Sequence, residues 1–322
     1  MTAPRAGRLG EKWVRSVAGA VLLAALSAPS PRAQSAGPSV QPPPLEHLTI
    51  VSDGHPLAVW ARVPASPRGA VLLLHGRTWS SRPDFDLQVP GLERSVLVSL
   101  ARKGLAAYAL DARGYGATPR DATGWLTPTR AAADVAEVLR ALAGRHPALP
   151  RPSLVGWSLG AAVAHLTAAT TPSLMSSLVL FGYAPDPDGE IPPEGDGGSP
   201  LREKTTAEGA VSDFISPKVT PPAVVRAFVE TALKTDPIAA DWRREEEFVY
   251  DSSRITLPTL VLYGERDPGV DPATAEHFFA RLKNRTKQLL VLTGGDHCAQ
   301  LEDTHDAWVN AVAGFVTRVN SH

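Results

Sequence analysis

Gly156-Trp157-Ser158-Leu159-Gly160 sets one hydroxyl between two glycines, after the short apolar run Pro152–Val155 and before Ala161–Leu166. A strand that reverses into a helix within so few residues leaves its middle residue on a strained, exposed corner. A side chain at either glycine would collide with the neighbouring strand or helix, so Gly-x-Ser-x-Gly reads as a nucleophile elbow. Ser158 also sits near a helix N-terminus, where partial positive charge favours developing negative charge.

A serine hydroxyl is a poor nucleophile until a neighbouring base takes its proton. Histidine titrates in the right range, and a carboxylate must then fix its tautomer and stabilise the imidazolium. In a parallel sheet, groups far apart in sequence meet only at the carboxyl ends of strands. Of the nine histidines, His297 alone follows a Gly-rich turn, Gly294-Gly295-Asp296, directly beyond the last expected strand. His165, His277 and His305 fall on helices and read as packed or solvated side chains. Asp267 lies in the turn Gly264–Pro268 after the expected strand Thr259–Tyr263, whereas Asp271 and Asp296 read as turn formers. The chain order of nucleophile, carboxylate and base is then Ser158, Asp267, His297. The oxyanion is expected to meet the backbone N–H of Leu159 and that of Arg77, in the loop after strand Ala70–His75. His75 itself reads as a structural group that holds this loop.

The elements that must position these groups are legible as periodicities. Strands are expected at His47–Val51, Leu57–Val63, Ala70–His75, Ala106–Leu110, Ser177–Phe181, Thr259–Tyr263 and Gln288–Leu292, besides the one before the elbow. Gly54 marks a hairpin between the first two. Helical spacing covers Leu92–Lys103, Thr129–Leu142, Thr220–Thr235, Ala273–Leu282 and Trp308–Val319. Strands alternating with helices imply an α/β fold, with a mostly parallel sheet covered on both faces. Residues 184–253 break the rhythm. They open with a Pro/Gly/Asp-rich loop and read as a small helical lid inserted into a core of 45–183 and 254–322.

The 322 residues are 43% hydrophobic and 20% charged, with a formal net charge of -1, as in an ordinary globular protein. That balance argues against a nucleic-acid surface. Arg5, Arg8, Lys12 and Arg15 precede the apolar stretch Val17–Leu26, and small residues and prolines follow. Residues 1–36 therefore read as a secretory signal peptide and leader, and the mature chain is expected to be exported. No other segment is long and apolar enough to cross a membrane. The single cysteine, Cys298, reads as a small buried hydrophobe.

His75-Gly76, Asp111-Ala112-Arg113-Gly114-Tyr115-Gly116, the elbow around Ser158, Gly264–Asp267 and Gly295–His297 together resemble the α/β-hydrolase family, from about Leu45 onward. The resemblance implies an eight-stranded sheet, a Ser-Asp-His triad and a lid after the sixth strand. It also implies that Asp111 and Arg113 form a structural, salt-bridged turn. Arg77 and Thr78 depart from the further glycines that lipase-like members carry at this point.

The expected reaction is hydrolysis of a carboxylic ester with a medium or small acyl group through an acyl-enzyme, with no metal or organic cofactor. Trp79, Trp125 and Trp242, in loops or in the insertion, are candidates for an apolar substrate wall. The same triad would also serve carbon–carbon bond hydrolysis, N-terminal peptide cleavage or perhydrolysis. Peptide cleavage would need a carboxylate pair in the lid to hold a substrate amine, which Glu245–Glu247 could supply, although such a run is usually a solvated helix face. A non-catalytic binding protein on the same scaffold is the alternative from another class.

Overall fold

The computed structural model describes residues 41–189, 198–216, 218–243, 248 and 250–321. The expected leader (1–36) and the Glu245–Glu247 run lie outside them. From Pro42 onward the chain forms one unit built on an eight-stranded sheet. Its strands are β1 (Glu46–Ser52), β2 (His55–Arg62), β3 (Gly69–Leu74), β4 (Leu105–Leu110), β5 (Ser153–Trp157), β6 (Leu178–Phe181), β7 (Thr259–Gly264) and β8 (Lys287–Leu292). Their order across the sheet is β1-β2-β4-β3-β5-β6-β7-β8. Only the pairs β1–β2 and β2–β4 are antiparallel.

Burial follows position in that order. β3, β4, β5, β6 and β7 are buried at every residue, as parallel strands with both faces covered must be. The edge strands β1 and β8 carry exposed positions instead. Asp53 and Gly54 both adopt positive φ (48° and 73°), the geometry that a tight β1–β2 hairpin demands.

Among the described residues eight α-helices accompany the strands: α1 (Ser81–Phe85), α2 (Val96–Arg102), α3 (Pro128–Arg145), α4 (Leu159–Thr170), α5 (Ala207–Ser212), α6 (Pro222–Thr235), α7 (Pro272–Arg281) and α8 (His305–Asn320). Alternate residues of the strands feed two separate cores. Leu72, Leu154 and Leu180 meet Val135 and Leu139 of α3, Ala161 and Ala164 of α4 and Phe278 of α7. Leu73, Val155 and Val179 meet Val96 and Leu100 of α2 and Trp308, Val312 and Phe315 of α8.

The helix expected over Leu92–Lys103 is shorter in the structure. Leu92–Arg94 pairs with Leu87–Val89 as a small hairpin, because Gly91 turns the chain at φ 77°. Ser95 then caps α2 by accepting the Val98 N–H at 3.0 Å. Between β6 and β7 the described residues form α5, α6 and the pair Asp241–Trp242, which runs parallel to Trp125–Leu126. Phe228 of α6 packs edge-on against Trp79 and Phe214. Among the described residues no helix is long and apolar enough to cross a membrane.

The register brings strand ends into line. Leu74 lies opposite both Leu110 and Gly156, Trp157 opposite Phe181, and Gly264 opposite Leu292. The tightest crossing is at the elbow. A Cβ on Gly160 would fall 2.4 Å from the carbonyl oxygens of Leu74 and His75, and one on Gly156 2.4 Å from that of Gly160. These are backbone atoms and cannot swing aside. Gly160→Ala is therefore expected to lower stability by about 2–3 kcal/mol in urea unfolding. Gly144→Ala, on α3 with nothing within 4 Å of a new Cβ, is expected to raise it by up to about 1 kcal/mol. Equal effects of the two substitutions would refute the crowding at the elbow.

Candidate active site

Ser158 holds φ 54° and ψ −119°, one of three described non-glycine residues with positive φ. Such a conformation costs on the order of 1–3 kcal/mol and persists only where the surroundings enforce it. The enforcement is visible on both sides: the Ser158 N–H donates to Phe181 C=O at 2.9 Å, and α4 begins at the very next residue. The hydroxyl is thereby held at the helix N-terminus.

His297 emerges from the turn after β8. Its Nδ1 lies 2.9 Å from Oδ2 of Asp267, which follows β7. The Asp267 side chain is fully buried, while that of His297 is 22% exposed, so the carboxylate is sealed behind the ring. Oδ1 of Asp267 accepts the Gly269 N–H at 2.8 Å. Trp157, the neighbour of Ser158, donates its indole N–H to the His297 carbonyl at 2.8 Å. The residue beside the hydroxyl thus fixes the backbone of the imidazole. Gly182, at φ 59°, leaves room for the ring: a Cβ there would lie 3.1 Å from it and 3.2 Å from Asp267 Oδ2.

Ser158 and His297 line one cavity of about 70 Å³, together with Arg77, Trp79, Trp157 and two further carboxyls, Asp84 and Asp213. The N–H groups of Arg77 and Leu159, expected to receive an oxyanion, carry no hydrogen bond among the described residues. Four hydrogen bonds hold the loop that presents Arg77. His75 Nδ1 bonds Gly76 C=O at 2.8 Å, and its Nε2 accepts the Ala112 N–H at 3.1 Å, the structural task expected of it. Asp84 accepts the Gly76 N–H at 3.2 Å. The Tyr115 hydroxyl donates to Arg77 C=O and itself accepts the Trp242 indole N–H at 2.7 Å.

That last bond corrects an expectation. Trp242 is no wall of the Ser158 cavity. It lines a separate apolar cavity of about 30 Å³ beside His75 and Val163. Trp125 is also elsewhere, half-buried beneath the Arg243 guanidinium. Of the three tryptophans only Trp79 lines the cavity with Ser158. Arg113 is salt-bridged as expected, to Asp121 and Asp134, while Asp111 accepts from the Trp60 indole and the Ser81 N–H. Asp271 caps α7 through the Thr274 N–H, and Cys298 is buried.

Two acidic groups near the His297 turn carry no sequence signal. Burial pushes the Asp213 carboxyl up to about 6, with the Trp79 indole and His297 pulling the other way. Burial also pushes Glu302 up to about 9. Glu302 accepts the Asp296 N–H at 2.9 Å, and Asp296 in turn accepts the Ser216 N–H at 2.6 Å, tying the His297 turn to the segment after α5.

Residues 65–304 match the family model described as "Serine aminopeptidase, S33". No curated protein matches the chain. Among solved structures, it is similar to a thioesterase domain from the curacin biosynthetic pathway: 16% identity, TM-score 0.63, 85% of this chain and 99% of that one. A serine hydrolase involved in carbazole degradation matches at 19% identity and TM-score 0.62, over 85% of this chain and 100% of that one. A carboxylesterase from Bacillus subtilis matches at 18% identity and TM-score 0.58, over 84% and 91% respectively.

Two outcomes test this geometry. Gly182→Ala is expected to fold yet displace the imidazole from Asp267. Proton NMR would then lose the downfield Nδ1–H resonance of a histidine bonded to a carboxylate, and its retention would contradict the packing described. The second concerns Glu302, whose folded-state titration near 9 lies above the unfolded value of about 4.3. Its contribution to stability is complete below that lower value and is lost as pH rises toward about 9. Glu302→Gln is expected to flatten this decline between pH ~5 and ~8 in urea unfolding. An unchanged slope would show that Glu302 is already ionised.

Proposed function

This chain belongs to the serine aminopeptidase S33 family, within the α/β-hydrolases, and on that premise we propose that it cleaves carboxylic esters through an acyl-enzyme. The observation that carries this reading is the shared cavity of Ser158 and His297, with His297 bonded on its far nitrogen to the sealed carboxylate of Asp267.

Asp267 accepts from Nδ1, which leaves Nε2 of His297 free of a proton and able to act as a base. Ser158 Oγ attacks the acyl carbon as Nε2 takes the hydroxyl proton. The carbonyl oxygen becomes an oxyanion and meets the N–H groups of Arg77 and Leu159. The tetrahedral intermediate collapses, the carbon–oxygen bond to the alcohol breaks, and His297 returns its proton to the departing oxygen. Water then attacks the acyl-enzyme with the same base, and the acid leaves with Ser158 restored. Each backbone donor is worth on the order of 3 kcal/mol of transition-state stabilisation.

The cavity of about 70 Å³ beside Ser158 supports short acyl groups. Cleavage of peptides from the N-terminus is the second reading, favoured by the description of the family itself. The basic and then apolar residues before position 37 support export of the enzyme.

The test is a panel of p-nitrophenyl esters of increasing acyl length beside aminoacyl p-nitroanilides. Short esters are expected to turn over fastest. Ser158→Ala and His297→Ala are each expected to lower kcat by on the order of 10⁴-fold or more, because such groups act as a unit. Equal rates for wild type and Ser158→Ala would discard the nucleophile. Preference for the anilides would replace ester cleavage by the peptide reading.

A further inference from the structure

Asp84 of α1 is fully buried and lines the cavity that holds Ser158 and His297. Its Oδ2 accepts the Gly76 N–H at 3.2 Å. Its Oδ1 is buried too and has no partner among the described residues. An ionised carboxylate offers only acceptors, so this placement would leave a buried charge with a single long hydrogen bond. The charged groups that bear on it make matters worse. Asp213 and Asp236 face it from the segment between β6 and β7, and Asp111 from the turn after β4. His297 shares the cavity from the turn after β8, and Arg77 from the neighbouring loop. Burial first, and the negative charge of Asp213 second, push the Asp84 carboxyl well above the usual carboxylate range.

A neutral carboxyl carries a hydroxyl. With Oδ2 committed as an acceptor, the proton belongs on Oδ1, the oxygen that lacks a partner. We propose that Asp84 works as a neutral carboxylic acid that donates a hydrogen bond from Oδ1 into the Ser158 cavity, joining the N–H groups of Arg77 and Leu159 around the developing oxyanion. The role rests on the serine-hydrolase reading above. Polar donors fixed in a buried site need no reorganisation as charge develops, so a third donor strengthens the same stabilisation.

The sign of the pH effect follows. Loss of the Asp84 proton removes a donor and sets a negative charge beside the one that the reaction creates. Activity therefore falls on the alkaline side as Asp84 ionises. Asp213 is charged above about pH 6 and holds the Asp84 proton in place. Asp213→Asn therefore moves that alkaline limb to lower pH. If Asp84 merely braced Gly76, its ionised form would be the better acceptor and no such limb would arise.

The experiment combines infrared difference spectra with pH profiles of kcat on p-nitrophenyl acetate. Wild type minus Asp84→Asn at pH ~7 is expected to show the C=O band of a protonated acid. Asp84→Asn, which keeps an acceptor for Gly76 and a weaker N–H donor for the cavity, is expected to lower kcat about tenfold and to lose the alkaline limb. Asp84→Leu is expected to lower kcat about 100-fold with little change in KM. An ionised Asp84 in the infrared spectrum, or an unchanged alkaline limb in Asp84→Asn, overturns the proposal even if Asp84→Leu fails to fold. A protonated Asp84 in a wild type that leaves the ester intact sinks the serine-hydrolase reading, and this role with it. Turnover abolished by Ser158→Ala alongside an ionised Asp84 sinks the role alone.

Discussion

The absence of two Cβ atoms governs this molecule. At Gly156 and Gly160, β5 and α4 cross against the end of β3 so closely that backbone oxygens stand 2.4 Å from where a side chain would begin. That closeness compels Ser158 into its positive φ, and it sets the first N–H of α4 beside the hydroxyl. It also carries Trp157 to the position from which its indole reaches the His297 carbonyl. Ser158, the helix terminus and His297 thus share one local constraint. A looser crossing would release all three together.

Around that constraint, burial sorts the carboxyls into different tasks. Asp267 is sealed from water but has the His297 ring and the Gly269 N–H as partners, so both of its oxygens are hydrogen-bonded. Asp86, two residues beyond Asp84, is matched by Arg62 and Ser95. Asp84 and Glu302 each have one backbone donor and one oxygen left over, and burial raises both. Pushing neighbouring acids apart in this way is how one site holds charged and neutral carboxyls side by side.

Much of this was legible in the residues. The order of strands and helices, the elbow glycines, and the turns that carry Asp267 and His297 follow from periodicity and from the rule that parallel strands deliver groups to one rim. Trp125 and Trp242 do not form the expected substrate wall, because an aromatic residue in a loop does not declare which cavity it fills. Trp242 is instead the far end of a relay through Tyr115 to Arg77. Asp84 is illegible in the sequence for a related reason. Its neighbours Pro83 and Phe85 look no different from those of a solvated aspartate, and only the folded chain shows that Arg62 reaches Asp86 while Oδ1 of Asp84 has no partner among the described residues. Asp213 comes into the cavity from a stretch whose sequence carries no periodic signal.

The central claim is that Ser158 is a nucleophile because His297, oriented by Asp267, takes its proton. Reaction with a fluorophosphonate, followed by mass spectrometry of the adduct, addresses it without any assumption about substrate. A single adduct on Ser158 is expected, formed at least about 1,000-fold more slowly in folded His297→Ala. An adduct on another residue, or labelling of Ser158 undiminished in that variant, would contradict the account.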